Sequence, residues 1–558
     1  MTSDAGLAPT MGREVNIDSI LVLDERIKEI TAELARLKRT RNSLLNVARI
    51  PPEILGRIFH LNVIPEASEG YFPKLRKGSY NFLLICHHWF QVARTTPELW
   101  SFWGDNLEDW RRRYLLSGPS APVDLVLDLA RHGVGSFDEA LRDVLRDRAA
   151  RGVIRKVHIR CPNEGHLTAT AVISSLTPED EGIRHSRMES IALSSVDVSN
   201  FLARHHFPKL RNLYLFSSPK ILCWDHLKSH TMALVDLILI FDDVTPPSVI
   251  PTTSQVLSLL ASNPNIRSLV MRRLVINDDS RNDSTPPALL CHLEKLILTG
   301  DFHHVFPILR RLELPEMVDD AELWFYDCKL EEANETIRPY IRNYLRRDPR
   351  LKDRLGVFTS FTTDSFLLHA STASIDCHIL DGTPQHKPPH VSFQVVIPEV
   401  PWKDLERLCI DTLALLPREN VVCLEVDSLT DAMEEIITEM SSVEHLRVYG
   451  TILYPGFLMP DENGPNPHQK LFPSLRWLGF EGVEAGDEGW SPLVTYLAHQ
   501  TSGNQAVSIE ISGEGVHICA DVLDQIYELV GRIDYIPDPD TECPFGECPV
   551  WEGGALII

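Results

Sequence analysis

The feature that most restricts this chain is a six-residue frame, apolar-x-x-apolar-x-apolar, which recurs from about residue 120 onward. It occurs at Ile154–Ile159, Met188–Leu193, Leu210–Leu215, Leu234–Leu239, Ile266–Met271 and Leu293–Leu298. It returns at Leu309–Leu314, Leu405–Ile410, Val421–Val426, Val443–Val448 and Leu475–Phe480. The last three positions alternate, as a strand with one buried side requires. A strand this short buries few side chains, so each copy needs neighbours stacked beside it. Several copies follow a proline that ends the element before, as in Phe207-Pro208-Lys209-Leu210 and Phe472-Pro473-Ser474-Leu475.

The frame resembles that of the leucine-rich repeat. The resemblance implies parallel strands joined by right-handed crossovers, in an irregular solenoid over residues 120–533 with one sheet-lined concave face. The copies are degenerate, with spacings from about 16 to more than 30 residues, and the asparagine that usually follows the frame is mostly missing. Ser254–Ala261 and Leu493–Ala498 read as helical returns. Residues 315–400 break the frame and read as atypical repeats plus an insertion. Within them Glu331 to Asp353 suits one or two charged helices, and Phe366–Leu368, Ile375–Leu380 and Val391–Ile397 suit strands. Asp381–His390 suits a loop. From Asp534 to Ile558 the chain is rich in Pro, Asp, Glu and Gly, as an acidic tail or irregular cap would be. A conventional α/β domain with scattered buried strands is the alternative.

Residues 1–16 are small and polar and are expected to be disordered. Residues 17–49 carry Ile20, Leu23, Ile27, Ile30, Leu34, Leu37 and Leu44 at alternating steps of three and four, with Arg41 breaking the series. This is the seam of a heptad helix, and it requires a partner. A second copy of the chain is one choice; packing in cis is favoured, because little more than three heptads make a marginal dimer.

Residues 50–103 concentrate apolar side chains in three expected short helices. Pro51 and Pro52 suit a helix start, where the missing N–H costs nothing. Ile54, Leu55, Ile58 and Phe59 follow at helical spacing; Leu84, Ile85 and Trp89 form a second stripe, and Leu99 and Trp100 a third. About fifty residues cannot bury all of these, and the surplus implies a surface for another protein. The pattern Ile50-Pro-Pro-Glu-Ile-Leu55, Cys86-x-x-Trp89 and Leu99-Trp100 resembles the F-box, with Ile50 in place of the usual Leu and an insertion at Pro65–Gly78, expected as a surface loop. The resemblance implies docking on the Skp adaptor, and through it on a cullin. Its site residues would be Pro51, Pro52, Ile54, Leu55, Ile58, Phe59, Leu84, Ile85, Trp89 and Trp100. Trp89 is expected in the core, Pro52 and Leu55 at the docking face.

A net charge of −24 excludes sustained phosphate binding, so nucleic acid is not an expected partner. Arg111–Arg113 and Arg346-Arg347 are too short to reverse that. Eleven cysteines lie mostly in apolar runs such as Leu408-Cys409-Ile410, typical of small buried hydrophobes in a reducing compartment. No stretch suits a signal peptide or a membrane span, and a cytoplasmic or nuclear location is expected. The pairs His87-His88, His205-His206 and His303-His304 place neighbours on opposite sides, which makes no ligand set, and Cys543 with Cys548 lacks further ligands. No phosphate loop, dinucleotide turn or nucleophile elbow is present. Neither metal, cofactor nor catalysis is expected.

The fold class expected is therefore α/β: an N-terminal helix and a three-helix F-box, then an irregular leucine-rich-repeat-like solenoid. The function implied is that of a substrate-recognition adaptor of an SCF-type ubiquitin ligase, holding an unidentified target protein on the repeats. Two other readings stay open, a protein-interaction scaffold outside any ligase and an enzyme with a site built from distant residues.

Overall fold

The tertiary structure is a computed structural model. It describes residues 17–44, 50–63, 80–103, 120–128, 139–150, 152–161, 166–176, 187–194, 207–216, 233–241, 250–277, 286–347, 355–364, 370–379, 390–398, 402–427, 439–449, 472–482, 490–501, 507–512, 520–530, 532–535 and 556–557, with a few isolated positions. Residues 1–16, the insertion at 65–78, Phe366–Leu368, 381–389 and most of the C-terminal tail lie outside them. The chain is mixed α/β with a large, mainly parallel sheet, and it divides into two compact units, Met1–Arg160 and Cys161–Ile558.

In the first unit, α1 (Ile17–Ser43) precedes α2 (Pro52–Val63), a 3-10 turn at Asn81–Leu84, α3 (His87–Arg94) and a second 3-10 turn at Pro97–Trp100. The chain then enters β1 (Phe102–Trp103), β2 (Val123–Asp128) and β3 (Ile154–Arg160). These pair in parallel, Phe102 opposite Asp124 and Val126 opposite His158. That pairing is why the unit extends to Arg160 instead of ending near residue 103. The helix Glu139–Ala150 before β3 carries Arg148, whose buried guanidinium donates to the carbonyls of Gly118 (2.6 Å) and Ala121 (3.3 Å).

In the second unit, strands β4 (Ser190–Ser194), β5 (Asn212–Phe216), β6 (Asp236–Ile240) and β7 (Ser268–Leu274) pair in parallel in chain order. A two-residue β8 (Ala288–Leu289) intervenes, and β7 pairs with β9 (Lys295–Asp301). Beyond a two-residue β10 (Leu312–Glu313), β11 (Asp320–Tyr326) pairs with β9. Strands β12 (Leu355–Asp364), β13 (Ala370–Ile379) and β14 (His390–Pro398) form an antiparallel meander. The meander bridges β11, through β14, to β15 (Val421–Asp427), through β12. Parallel pairing then resumes through β16 (His445–Tyr449), β17 (Trp477–Glu481), β18 (Ser508–Ser512) and β19 (Arg532–Tyr535). Finally β20 (Leu556–Ile557) pairs antiparallel with β19, so strand structure reaches into residues 534–558 at both ends.

The fourth position of the frame explains this order. Ile191, Leu213, Leu237, Leu269 and Leu296 are opposite one another in successive strands. The row continues through Ala321, Val391, Cys377 and Val357 to Leu424, Leu446, Leu478, Ile509 and Ile533. A slip of one residue would take a strand's residue out of this row, and the row runs unbroken across residues 315–400. Two frames do not become sheet strands. Leu309–Leu314 yields only β10, paired with β8. Leu405–Ile410 lies in the helix Trp402–Leu413, where the buried Leu408 and Thr412 follow one another at i and i+4 and the Thr412 hydroxyl donates to the Leu408 carbonyl at 2.7 Å.

The expected helical returns are present at Thr253–Ala261 and Ser491–Thr501. The first is closed by a capping box: Thr252 Oγ1 accepts from the Gln255 N–H at 3.2 Å, and Gln255 Oε1 from the Thr252 N–H at 3.1 Å. The charged segment after residue 330 is helical through Leu330–Glu332, a π turn at Ala333–Ile337 and Arg338–Arg347. At Gly300 a Cβ would stand 2.7 Å from the Leu274 carbonyl oxygen, so only glycine lets β9 approach β7 there. Among the described residues no helix is long and apolar enough to cross a membrane.

Candidate protein-docking surface

Residues 50–103 place two apolar stripes on α2. Pro52 is the first helical residue and the Pro51 carbonyl accepts from the Leu55 N–H at 3.0 Å, so the paired prolines set the helix start. Leu55, Phe59 and Val63, spaced four apart, point into a cluster with Phe82, Val92, Ala93, Leu99 and Trp100. Phe59 stacks on Phe82 with ring centroids 4.2 Å apart and meets Trp89 at 5.1 Å. Tyr80 stacks on Trp100 at 5.7 Å, and the Trp100 indole N–H donates to the Ala93 carbonyl at 2.9 Å. This hydrogen bond satisfies the one polar atom of the largest ring in the cluster.

The second stripe faces outward. Ile54 is 52% exposed, Ile58 48% and Leu61 65%, and they follow one another at i, i+4 and i+7. Pro51 and Pro52 are exposed at the head of the same helix. Leu84 and Ile85, at the end of the 3-10 turn, are 86% and 57% exposed. Cys86 in extended conformation separates them from α3. Leu84 and Ile85 therefore do not share a helix with Trp89, as the spacing had led one to expect.

The ten expected site residues thus separate into two groups. Pro51, Pro52, Ile54, Ile58, Leu84 and Ile85 are exposed. Leu55 (1% exposed), Phe59 and Trp100 are core, and Trp89 is half-buried against it. For Leu55 this is a correction: its side chain is sealed inside the cluster and does not reach a docking face. Leu61 completes the outward stripe and was missed, although its i+7 spacing from Ile54 was the available signal.

The second unit offers a surface of another kind on β15–β18. Arg447 donates from Nη2 to Glu481 at 3.0 Å and to Glu510 at 3.3 Å. Its guanidinium carbon is 5.4 Å from the Tyr449 ring centroid and 5.7 Å from that of Trp477. The Tyr449 hydroxyl donates to Glu425 at 2.8 Å. Burial, this hydrogen bond and the nearby carboxylate push Tyr449 up to about 12. Burial and Glu425 push the neighbouring Cys423 thiol up to about 11, which leaves it protonated and unreactive. Glu425, Glu481 and Glu510 outnumber the single guanidinium, so this patch carries a net negative charge.

The described histidine pairs act locally. His303 lies 3.7 Å from Glu332 and His304 lies 3.9 Å from Asp301. Among the described residues no group of three or more His, Cys, Asp or Glu side chains is placed to hold a metal ion. His205-His206, Arg111–Arg113 and Cys543 with Cys548 lie outside those residues. No protein-family model matches this sequence, and no curated protein matches it either.

Proposed function

We propose that this chain is the substrate-recognition adaptor of an SCF-type ubiquitin ligase, with residues 50–103 acting as an F-box that docks on the Skp adaptor. The observation that carries the reading is an apolar stripe on a helix whose other face is already sealed. Ile54, Ile58 and Leu61 on α2, and Leu84 and Ile85 at the end of the 3-10 turn, are exposed and lie outside the cluster. Covering them with a second protein is what their exposure favours. The motif residues Pro51, Pro52, Cys86, Trp89, Leu99 and Trp100 carry the resemblance to that family of docking modules.

On this reading the strand ladder of the second unit is an irregular leucine-rich-repeat-like solenoid, and it holds the target protein. Its polar open face at Glu425, Arg447, Glu481 and Glu510 supports a target with basic side chains. Ubiquitin transfer itself is left to other subunits, in the cytoplasm or nucleus.

Co-expression of the full chain with the Skp adaptor and a cullin tests the proposal. The intact chain should capture both. Ile58→Glu combined with Leu84→Glu should abolish capture with the thermal midpoint unchanged, since both side chains are exposed. Undiminished capture by that variant overturns the docking surface. Capture of the adaptor without the cullin overturns the ligase role and leaves a scaffold.

A further inference from the structure

We propose that α1 joins two copies of this chain as an antiparallel coiled coil. The helix is 27 residues long, about 40 Å, and its seam is uncovered from end to end. Ile20, Leu23, Ile27, Ile30, Leu34 and Leu37 are between 45% and 61% exposed. Among the described residues nothing covers them.

A second copy is the occupant that matches this seam. Assigning Ile20, Ile27 and Leu34 to the a positions puts Leu23, Ile30 and Leu37 at d, and the heptad supplies the same three-and-four spacing that a partner helix must present. Other exposed apolar positions, Leu21 and Val22, lie off the seam.

Charge decides the direction. In this register Arg26 and Glu33 occupy g positions, and Asp24, Thr31 and Lys38 occupy e positions. Placed antiparallel, with Ile20 facing Leu37, Ile27 facing Ile30 and Leu34 facing Leu23 of the other copy, the g residues meet each other. Arg26 then lies beside Glu33 of the second copy, twice by symmetry. Arg41 overhangs the end of the overlap in water. Placed parallel, Glu33 meets Lys38 of the other copy but Arg26 meets the neutral Thr31, and Arg41 at an a position meets its own copy across the seam, which makes Arg41 the deciding residue. Like charges there oppose a parallel pair. In the single chain Arg26 and Glu33 make only exposed pairs one turn away, with Glu29 (2.7 Å) and Arg36 (2.7 Å), which yield to new partners at little cost.

The proposal is independent of adaptor docking and is tested on the full chain alone. Sedimentation equilibrium should show a concentration-dependent dimer, abolished by Ile27→Glu with Ile30→Glu. Arg26→Glu alone and Glu33→Arg alone should each weaken association about tenfold. The double exchange, or mixing the two single variants, should restore it, because the opposite charges meet again. A chain that stays monomeric, or a dimer indifferent to the seam substitutions, overturns the proposal. A seam-dependent dimer that the double exchange fails to restore overturns the antiparallel arrangement.

Discussion

Strands β6, β7 and β9 bury consecutive residues, whereas β16 and β18 bury every second one, as β15 does from Val422 to Val426. The fourth and sixth frame positions are buried in both groups, Leu237, Leu239, Leu269 and Met271 as much as Leu446, Val448, Ile509 and Ile511. The groups part at the position between them. Ile238, Val270 and Ile297 are at most 3% exposed, and their strands read as continuous apolar runs, the pattern of a parallel sheet shielded on both sides. Glu425, Arg447 and Glu510 occupy the same position later and remain accessible. One ladder thus supports two kinds of face, and one residue in each strand determines which.

The comparison is most easily broken at Val270. Val270→Asp places a charge with no partner in an interior site and should cost more than about 3 kcal/mol, read as a lowered urea midpoint. A cost below about 1 kcal/mol would mean that this face is open to water after all. Next, Leu269→Ala and Leu446→Ala should each cost about 2–5 kcal/mol, because the inner row is equally closed in both groups. A tolerant Leu446 would show that the later strands are loosely packed. Arg447→Ala should cost about 1 kcal/mol, since its partners Glu481 and Glu510 are partly exposed. The smallest effect concerns Tyr449. Its folded pKa of about 12 exceeds the ordinary value near 10, so the folded form keeps its proton while the unfolded form loses it. The associated stability is complete below pH 10 and fades as pH rises toward 12. Tyr449→Phe should flatten that decline in urea midpoints taken between pH 10 and 12.

Much of the sheet was legible because the frame combines register and burial in one short pattern. Ile191, Leu213, Leu237, Leu269 and Leu296 were all marked by it, as were Leu424, Leu446 and Leu478. The strand β18 escaped notice, although Val507, Ile509 and Ile511 alternate and are buried. Leu405–Ile410 misled because a spacing of three suits a helix as well as this frame, and the helical continuation through Thr412 and Leu413 lay outside the six residues. In the helical cluster, Ile54 and Leu55 are both large, apolar and one residue apart, about 100° around the helix. Hydrophobicity alone gave no means of choosing which stripe was inside. The choice was made by Phe82, Val92, Leu99 and Trp100, which close over Leu55 and Phe59.

Local pattern therefore marked most of the parallel strands, where prolines begin or end elements, and which residues of those strands share a row. These follow from side-chain periodicity over a few residues. Tertiary structure alone decided that β12–β14 enter the ladder as an antiparallel meander, that Leu55 is core and Ile58 surface, and that α1 has an open seam. Each of these depends on which distant segment arrives to exclude water from a given face, and an individual segment carries no record of its distant neighbours.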